Sequence, residues 1–340
     1  MKDTLFKKLF ILLFIPLLVF VCSQPLFAGS RAAFTRGGWV GAKYMGMGMA
    51  AEVVADDAFS IYWNPAGLAE LKEAKKLSAE EIRSRATRGD VDSFSEEDLL
   101  RFSDVTAVRF AVHFAASGAM LEHDRNAGFA GVAFNAFNGV LGAGLYTIGV
   151  TGIEGYDESG APTGNLSYVA SAGFLSYGWS SGPTNMGVSF KGLYEKIDST
   201  VYAGAGADLG VQISVLPFFR LGAVAQDLGS FLRPVSNDEG VDKKYDFAAP
   251  SLRLGASIVS DAGFVLAFGI AKRFEQDDYI FSFGIDYRVD RNINLYAGIR
   301  DGNLSGGLSI DLLNVNIGYA IAVDSVDYGY NNMVSVLMSF

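Results

Sequence analysis

The residues of this chain that could perform chemistry are sparse and scattered. Two histidines and one cysteine occur in 340 residues. There is no GxSxG elbow, no Walker loop and no clustered metal-ligand spacing. A GAGADLG run near Gly204 has the composition of a nucleotide loop, but it sits inside an alternating strand pattern rather than between strand and helix. What remains is a set of isolated basic residues: Arg109, His113, Lys191, Arg220, Arg253, Arg288 and Arg300. A cation of this kind can hold a carboxylate through charge-assisted hydrogen bonds, so these are candidate ligand-binding residues for an acidic compound. The alternative is mutual pairing with Glu195, Asp208, Asp286 and Asp311 as a structural charge lattice. No enzyme activity, cofactor or metal is expected.

The elements that position these residues are strands. From Val105 onward the chain is a series of alternating segments, each with one apolar face, and about fourteen of them can be counted. In Tyr279 to Val289, Tyr279, Phe281, Phe283, Ile285 and Tyr287 share one side, while Ser282, Gly284, Asp286 and Arg288 share the other. The polar faces are rich in Gly, Ser and Asn rather than in the Lys, Glu and Thr of a water-facing sandwich. That composition predicts a crowded or narrow polar lumen inside an all-β, transmembrane antiparallel barrel. The first strand is placed at Val105 to Ala116, followed by a loop over Ser117 to Asn126. Long connections at Glu154 to Asn165 and Phe231 to Ala249 fall on the same end as that loop. The opposite end has only short turns, such as Asn138-Gly139 and Leu313-Asn314. Glycine-rich Gly142 to Gly149 is a candidate wall kink. The final strand alternates to Phe340, an aromatic end of the type that barrel-assembly machinery reads.

Residues 1 to 28 read as a signal peptide. Lys2, Lys7 and Lys8 precede an apolar run from Leu9 to Val21 and a segment ending at Ala28. The run is about 13 residues, too short for a spanning helix of about 20. Removing this segment takes away the only cysteine, three basic residues and one acidic residue. The remainder has 24 basic against 36 acidic side chains, a net of −12. That balance argues against nucleic acid as a partner. The expected location is the outer membrane of a diderm bacterium, in contact with its lipid.

Residues 29 to 104 precede the barrel expected over residues 105 to 340. Within them, Ala74 to Asp104 is a charged stretch with two helix-start signals, at Ser78 and Ser95. Before it come GAKYMGMGM from Gly41 to Met49, then VADDA from Val54, then Tyr62-Trp63 and the NPAGL run from Asn64 to Leu68. In order and spacing these runs resemble the opening of the FadL-like outer-membrane proteins, especially their PorV/PorQ-type branch. The resemblance implies an N-terminal hatch folded inside the barrel, with Asn64, Pro65, Ala66 and Gly67 as its motif. Pro65 biases Asn64 to extended backbone and the Asn side chain can bond local backbone, which makes a rigid turn.

The resemblance also implies a channel for hydrophobic or amphipathic small molecules, long-chain fatty acids among them, working by hatch-gated passive diffusion. The same motif occurs in adaptor barrels that serve secretion machinery. A structural barrel that docks a periplasmic or surface protein is therefore the second expectation.

Overall fold

The computed structural model describes residues 37–71, 111–235, 245–260, 262–274, 278–324 and 329–340. The expected signal peptide, the charged stretch 74–104 and Arg109 lie outside the described residues.

Fifteen antiparallel strands follow one another: β1 (Val112–Leu121), β2 (Arg125–Ala136), β3 (Gly139–Tyr156), β4 (Pro162–Ser181), β5 (Thr184–Ile197), β6 (Thr200–Leu216), β7 (Phe219–Pro234) and β8 (Asp246–Phe247). After them come β9 (Ser251–Ser260), β10 (Phe264–Arg273), β11 (Tyr279–Asp290), β12 (Ile293–Arg300), β13 (Asn303–Leu312), β14 (Val315–Val323) and β15 (Tyr330–Ser339). Each pairs with its sequence neighbour, except that β7 pairs with β9 past the two-residue β8, and β15 returns to β1. The wall is therefore a closed barrel of fourteen strands, which leaves no edge to aggregate. At the seam, Val112 and Phe340 exchange both backbone hydrogen bonds at 3.0 Å, and Phe340 packs edge-on against Phe114.

Alternation places the apolar faces outward. Phe190, Phe268, Phe281, Leu304, Ile317 and Val334 all stand exposed on the outer surface. A continuous apolar exterior is what a bilayer requires of a barrel. No described helix is long and apolar enough to cross a membrane.

Four expectations need correction, one being the loop at Phe231 to Ala249, where Phe231 to Pro234 continue β7 and Asp246–Phe247 pair with it. The first described strand is Val112–Leu121, so the expected loop at Ser117 to Asn126 is mostly strand, and the chain reverses at Glu122 to Asp124. His123 and Asp124 take left-handed backbone angles (φ 60° and 55°), which His and Asp tolerate better than most residues. Small residues at Ser117, Gly118 and Ala119 look like loop by composition but continue the ladder to β15 and β2. The long connection at Glu154 to Asn165 is largely an extension of the β3–β4 hairpin, closed by a turn over Asp157 to Ala161. Gly142 to Gly149 is no kink: β3 pairs in unbroken register on both sides through that stretch.

The clear irregularity is in β7, where its register with β6 shifts between Ala205 and Leu209 and the backbone turns left-handed at Asp227 and Gly229. Such bulges re-aim a side chain, and here the re-aimed residue is Asp227.

Inside the barrel lies the segment 37–71, with helix α1 (Ala42–Gly46), one helical turn α2 (Ser60–Trp63) and a 3-10 turn over Pro65–Leu71. Its large side chains, Tyr44, Met45, Met47, Phe59, Ile61 and Trp63, are all fully buried. They form one apolar core with inward residues of the wall.

Candidate functional site

The glycines and serines of the inner face explain how the segment 37–71 is held. A side chain added at Gly187 would lie 2.2 Å from the Pro65 backbone, one at Gly210 would lie 1.9 Å from Asn64 Oδ1, and one at Gly298 would lie 2.2 Å from Gly48. Gly178, Gly222, Gly284 and Gly318 meet the same segment at Pro65, Glu52, Met47 and Ala42. Several of these glycines are register partners: Gly178 with Gly187, Gly187 with Gly210, and Gly284 with Gly298. They form a belt on which the segment's backbone rests. Serine hydroxyls fill the remaining contacts. Ser117 accepts from Gly41 N at 3.3 Å, Ser335 from Ala42 N at 3.1 Å and Ser305 from Gly48 N at 3.1 Å. The Gly/Ser-rich face is crowded because an inner segment occupies it.

The motif residues sit at the centre of this contact. Asn64 is fully buried; its Nδ2 donates to Glu52 O at 2.6 Å and its Oδ1 accepts from Ala66 N at 3.1 Å. That bond caps the turn that Pro65 begins, as an Asx turn does. Gly67 fits against Ala55 O, where an added carbon would lie 2.0 Å away. These bonds satisfy backbone within the inner segment.

The basic residues divide into three groups. Lys191 and Arg253 are neutralised. Lys191 bonds Asp208 at 2.8 Å and also Asp227, with all three buried. Arg253 holds Glu52 of the inner segment at 2.5 Å, donates to Met49 O at 3.0 Å, and stacks over Trp63. Two of these partners, Asp227 and Glu52, are not in the expected lattice. The first owes its position to the β7 bulge and the second to the inner segment's path. Gly229, left-handed at φ 62° two residues after Asp227, was the available signal for the bulge.

His113, Arg220 and Arg288 form the second group, toward the short-turn end. His113 Nδ1 meets Ser339 Oγ at 2.9 Å, Arg288 reaches Asn294 Oδ1 at 3.5 Å, and Arg220 stands in register with Ser257 of β9.

Arg300 stands alone in the third group. It is half-buried, its guanidinium meets the Met49 sulfur and lies beside Gly38, and no carboxylate among the described residues is paired to it. A thioether is a weak acceptor, and among the described residues no oxygen accepts from Arg300.

On the long-connection side of the glycine belt the inward faces mix an aromatic and aliphatic cluster with buried charge, Lys191, Glu195, Asp208 and Asp227 among it. Tyr62 packs against Phe129, Tyr146 and Phe174 at centroid distances of 5.1 to 6.4 Å. Ala119, Ala127, Ala170, Ala172, Leu193 and Leu232 continue inward-facing above them.

On the short-turn side, a basin of about 390 Å³ opens between α1 and strands β11 to β15. Lys43 bridges Asp56 there at 2.9 Å. Burial pushes the neighbouring Asp57 carboxyl up to about 6, with Lys43 pulling it down and Asp56 adding to the rise.

No family model matches this chain, and no curated protein matches it. Solved structures do. The CymD monoaromatic hydrocarbon channel is similar over 92% of this chain and 99% of its own, at 13% identity and a TM-score of 0.59. The Ralstonia pickettii toluene transporter TbuX covers 88% of this chain and 97% of its own, at 12% identity and a TM-score of 0.52. A Pseudomonas aeruginosa FadL homologue covers 88% and 98%, at 10% identity and a TM-score of 0.52. At such identities the likeness speaks to architecture, and the architecture of this chain is the FadL-like barrel fold.

Proposed function

We propose that the protein is an outer-membrane channel for hydrophobic or amphipathic small molecules, of the long-chain fatty-acid type, and not an enzyme. The observation that carries this reading is the aromatic cluster of Tyr62, Phe129, Tyr146 and Phe174 beside the glycine belt, with the half-buried guanidinium of Arg300 against the inner segment. An acyl chain gains about 0.8 kcal/mol for each methylene it buries. A carboxylate at its end offers Arg300 a far better acceptor than the Met49 sulfur. Drawing Arg300 from Met49 would loosen the inner segment where Arg253 and Glu52 also hold it, which couples ligand arrival to the hatch. The Asn64 Nδ2 bond to Glu52 O supports including the NPAGL turn in that coupling.

Binding of a labelled long-chain fatty acid and of its methyl ester to the detergent-purified barrel tests this. Arg300→Leu is expected to weaken the acid about tenfold or more, as loss of a charged hydrogen bond does, and to leave the ester nearly unchanged. Equal loss for both ligands, or for neither, would remove Arg300 from the reading.

A second reading is favoured by the length of the inner segment's contact with the wall, which seats it on β3 to β7 and β9 to β15. A barrel plugged so completely suits a PorV-like adaptor that docks an envelope or secretion partner. Uptake by the folded protein separates the two.

A further inference from the structure

The basin on the short-turn side has a lining that the channel reading does not use. Transmembrane barrels keep their short turns in the periplasm, so this basin opens there. Its floor is aromatic and aliphatic, with Phe59 of the inner segment, Tyr296 of β12 and Leu337 of β15. Around the floor stand Asp56, Asp57, Asp286 and Asp311, against the two cations Lys43 and Arg288.

These carboxylates are not equivalent. Asp56 is engaged by Lys43, and Asp57 Oδ1 accepts from Phe59 N at 2.8 Å. Asp311 is held by Asn316 Nδ2 at 2.7 Å and by Asn294 Nδ2 at 3.4 Å. Asp286 faces inward on β11, half-buried, and has no hydrogen-bond or ion-pair partner among the described residues. Half-buried, its carboxylate is left to water and to whatever enters the basin. The basin therefore combines a carboxylate with no protein donor among the described residues, a net negative lining and an apolar floor of side-chain size.

We infer that this basin is a docking site for a basic polypeptide segment of a periplasmic protein, which inserts an arginine or lysine side chain. The methylene stem lies on Phe59, Tyr296 and Leu337 while the cationic head reaches Asp286, the division of labour usual for long basic side chains. A guanidinium can satisfy Asp286 with two parallel hydrogen bonds and still meet a second carboxylate. The volume of about 390 Å³ accommodates one such side chain with its flanking backbone at the mouth. This site is independent of whether the lumen conducts.

The test uses the intact, detergent-purified barrel and a fluorescein-labelled Gly/Ser decapeptide carrying two central arginines, read by fluorescence polarisation. A twin peptide has citrulline in place of both arginines, which keeps the shape and removes the charge. The arginine peptide is expected to bind, the citrulline twin to fail, and Asp286→Asn to weaken binding about tenfold or more. Asp157→Asn, on the opposite end of the barrel, is expected to change nothing. Heat-modifiable gel migration confirms that each variant is folded. Affinity unchanged by Asp286→Asn, or equal for both peptides, would overturn the inference. So would competition by butylamine at the peptide's own affinity, since the site would then take a small ammonium ion rather than a polypeptide.

Discussion

Glycines on the two faces of this wall, side by side in β5, serve different ends. On the lumen face, Gly187, Gly210 and Gly298 are in contact with the backbone of the inner segment, and no side chain fits. On the outer face, Gly118, Gly173 and Gly192 have nothing within 4 Å of where a side chain would begin. The first set is required by close approach of two backbones, and the second leaves open space that lipid can fill. One residue type thus marks both a tight seat and a loose surface, and only the third dimension tells them apart.

The charged contacts follow the same division, and they give the largest expected effect. Arg253→Met leaves Glu52 buried without its counter-charge and should cost about 3–5 kcal/mol, read as a lower denaturation temperature in detergent. Adding Glu52→Gln to that variant should restore most of the loss, because an unpaired buried charge is the main penalty.

Next is the glycine contrast itself. Gly210→Val drives a methyl group into Asn64 and should cost about 3 kcal/mol or more. Gly192→Val on the lipid face should stay within about 0.5 kcal/mol of the parent. Equal effects at both positions, measured by urea unfolding, would break the comparison.

The smallest effect concerns pH. The folded carboxyl of Asp57 titrates near 6, above its ordinary value of 3.8, so the folded state binds this proton more tightly than the unfolded chain does. Its charged form therefore costs stability at neutral pH, and that cost fades as pH falls through 6 toward 4. Asp57→Asn should stabilise the barrel at pH 7.5, with the gain vanishing near pH 4; a gain that grows on acidification would contradict the assignment.

Much of the wall was legible because alternation is a local property. From Tyr279 to Phe340 the outward residues are those the pattern predicts, and turns such as Asp301-Gly302 and Leu313-Asn314 fall where the alternation stops. Boundaries failed where small residues carried the ladder, as at Ser117 to Ala119, and where strands ran past the apolar band, as in the β3–β4 hairpin. The site was less legible. The Gly/Ser face signalled crowding, but not that the occupant's backbone would rest on it. Lys191 and Asp208 stood on predicted inward faces, whereas Asp227 reached them only through a bulge and Glu52 through a non-local path. The place of Arg300 against Met49 and Gly38 follows from the inner segment's path, which no spacing rule encodes.

The central claim is that the folded barrel passes hydrophobic molecules while its inner segment excludes polar ones. Proteoliposomes containing the intact protein, given a labelled long-chain fatty acid and labelled sucrose in parallel, test it most directly. The account predicts saturable fatty-acid uptake above protein-free vesicles and no sucrose entry. Absence of fatty-acid uptake by protein shown to be folded would contradict the channel and leave the adaptor reading, and equal entry of both solutes would show an open pore that the seated inner segment forbids.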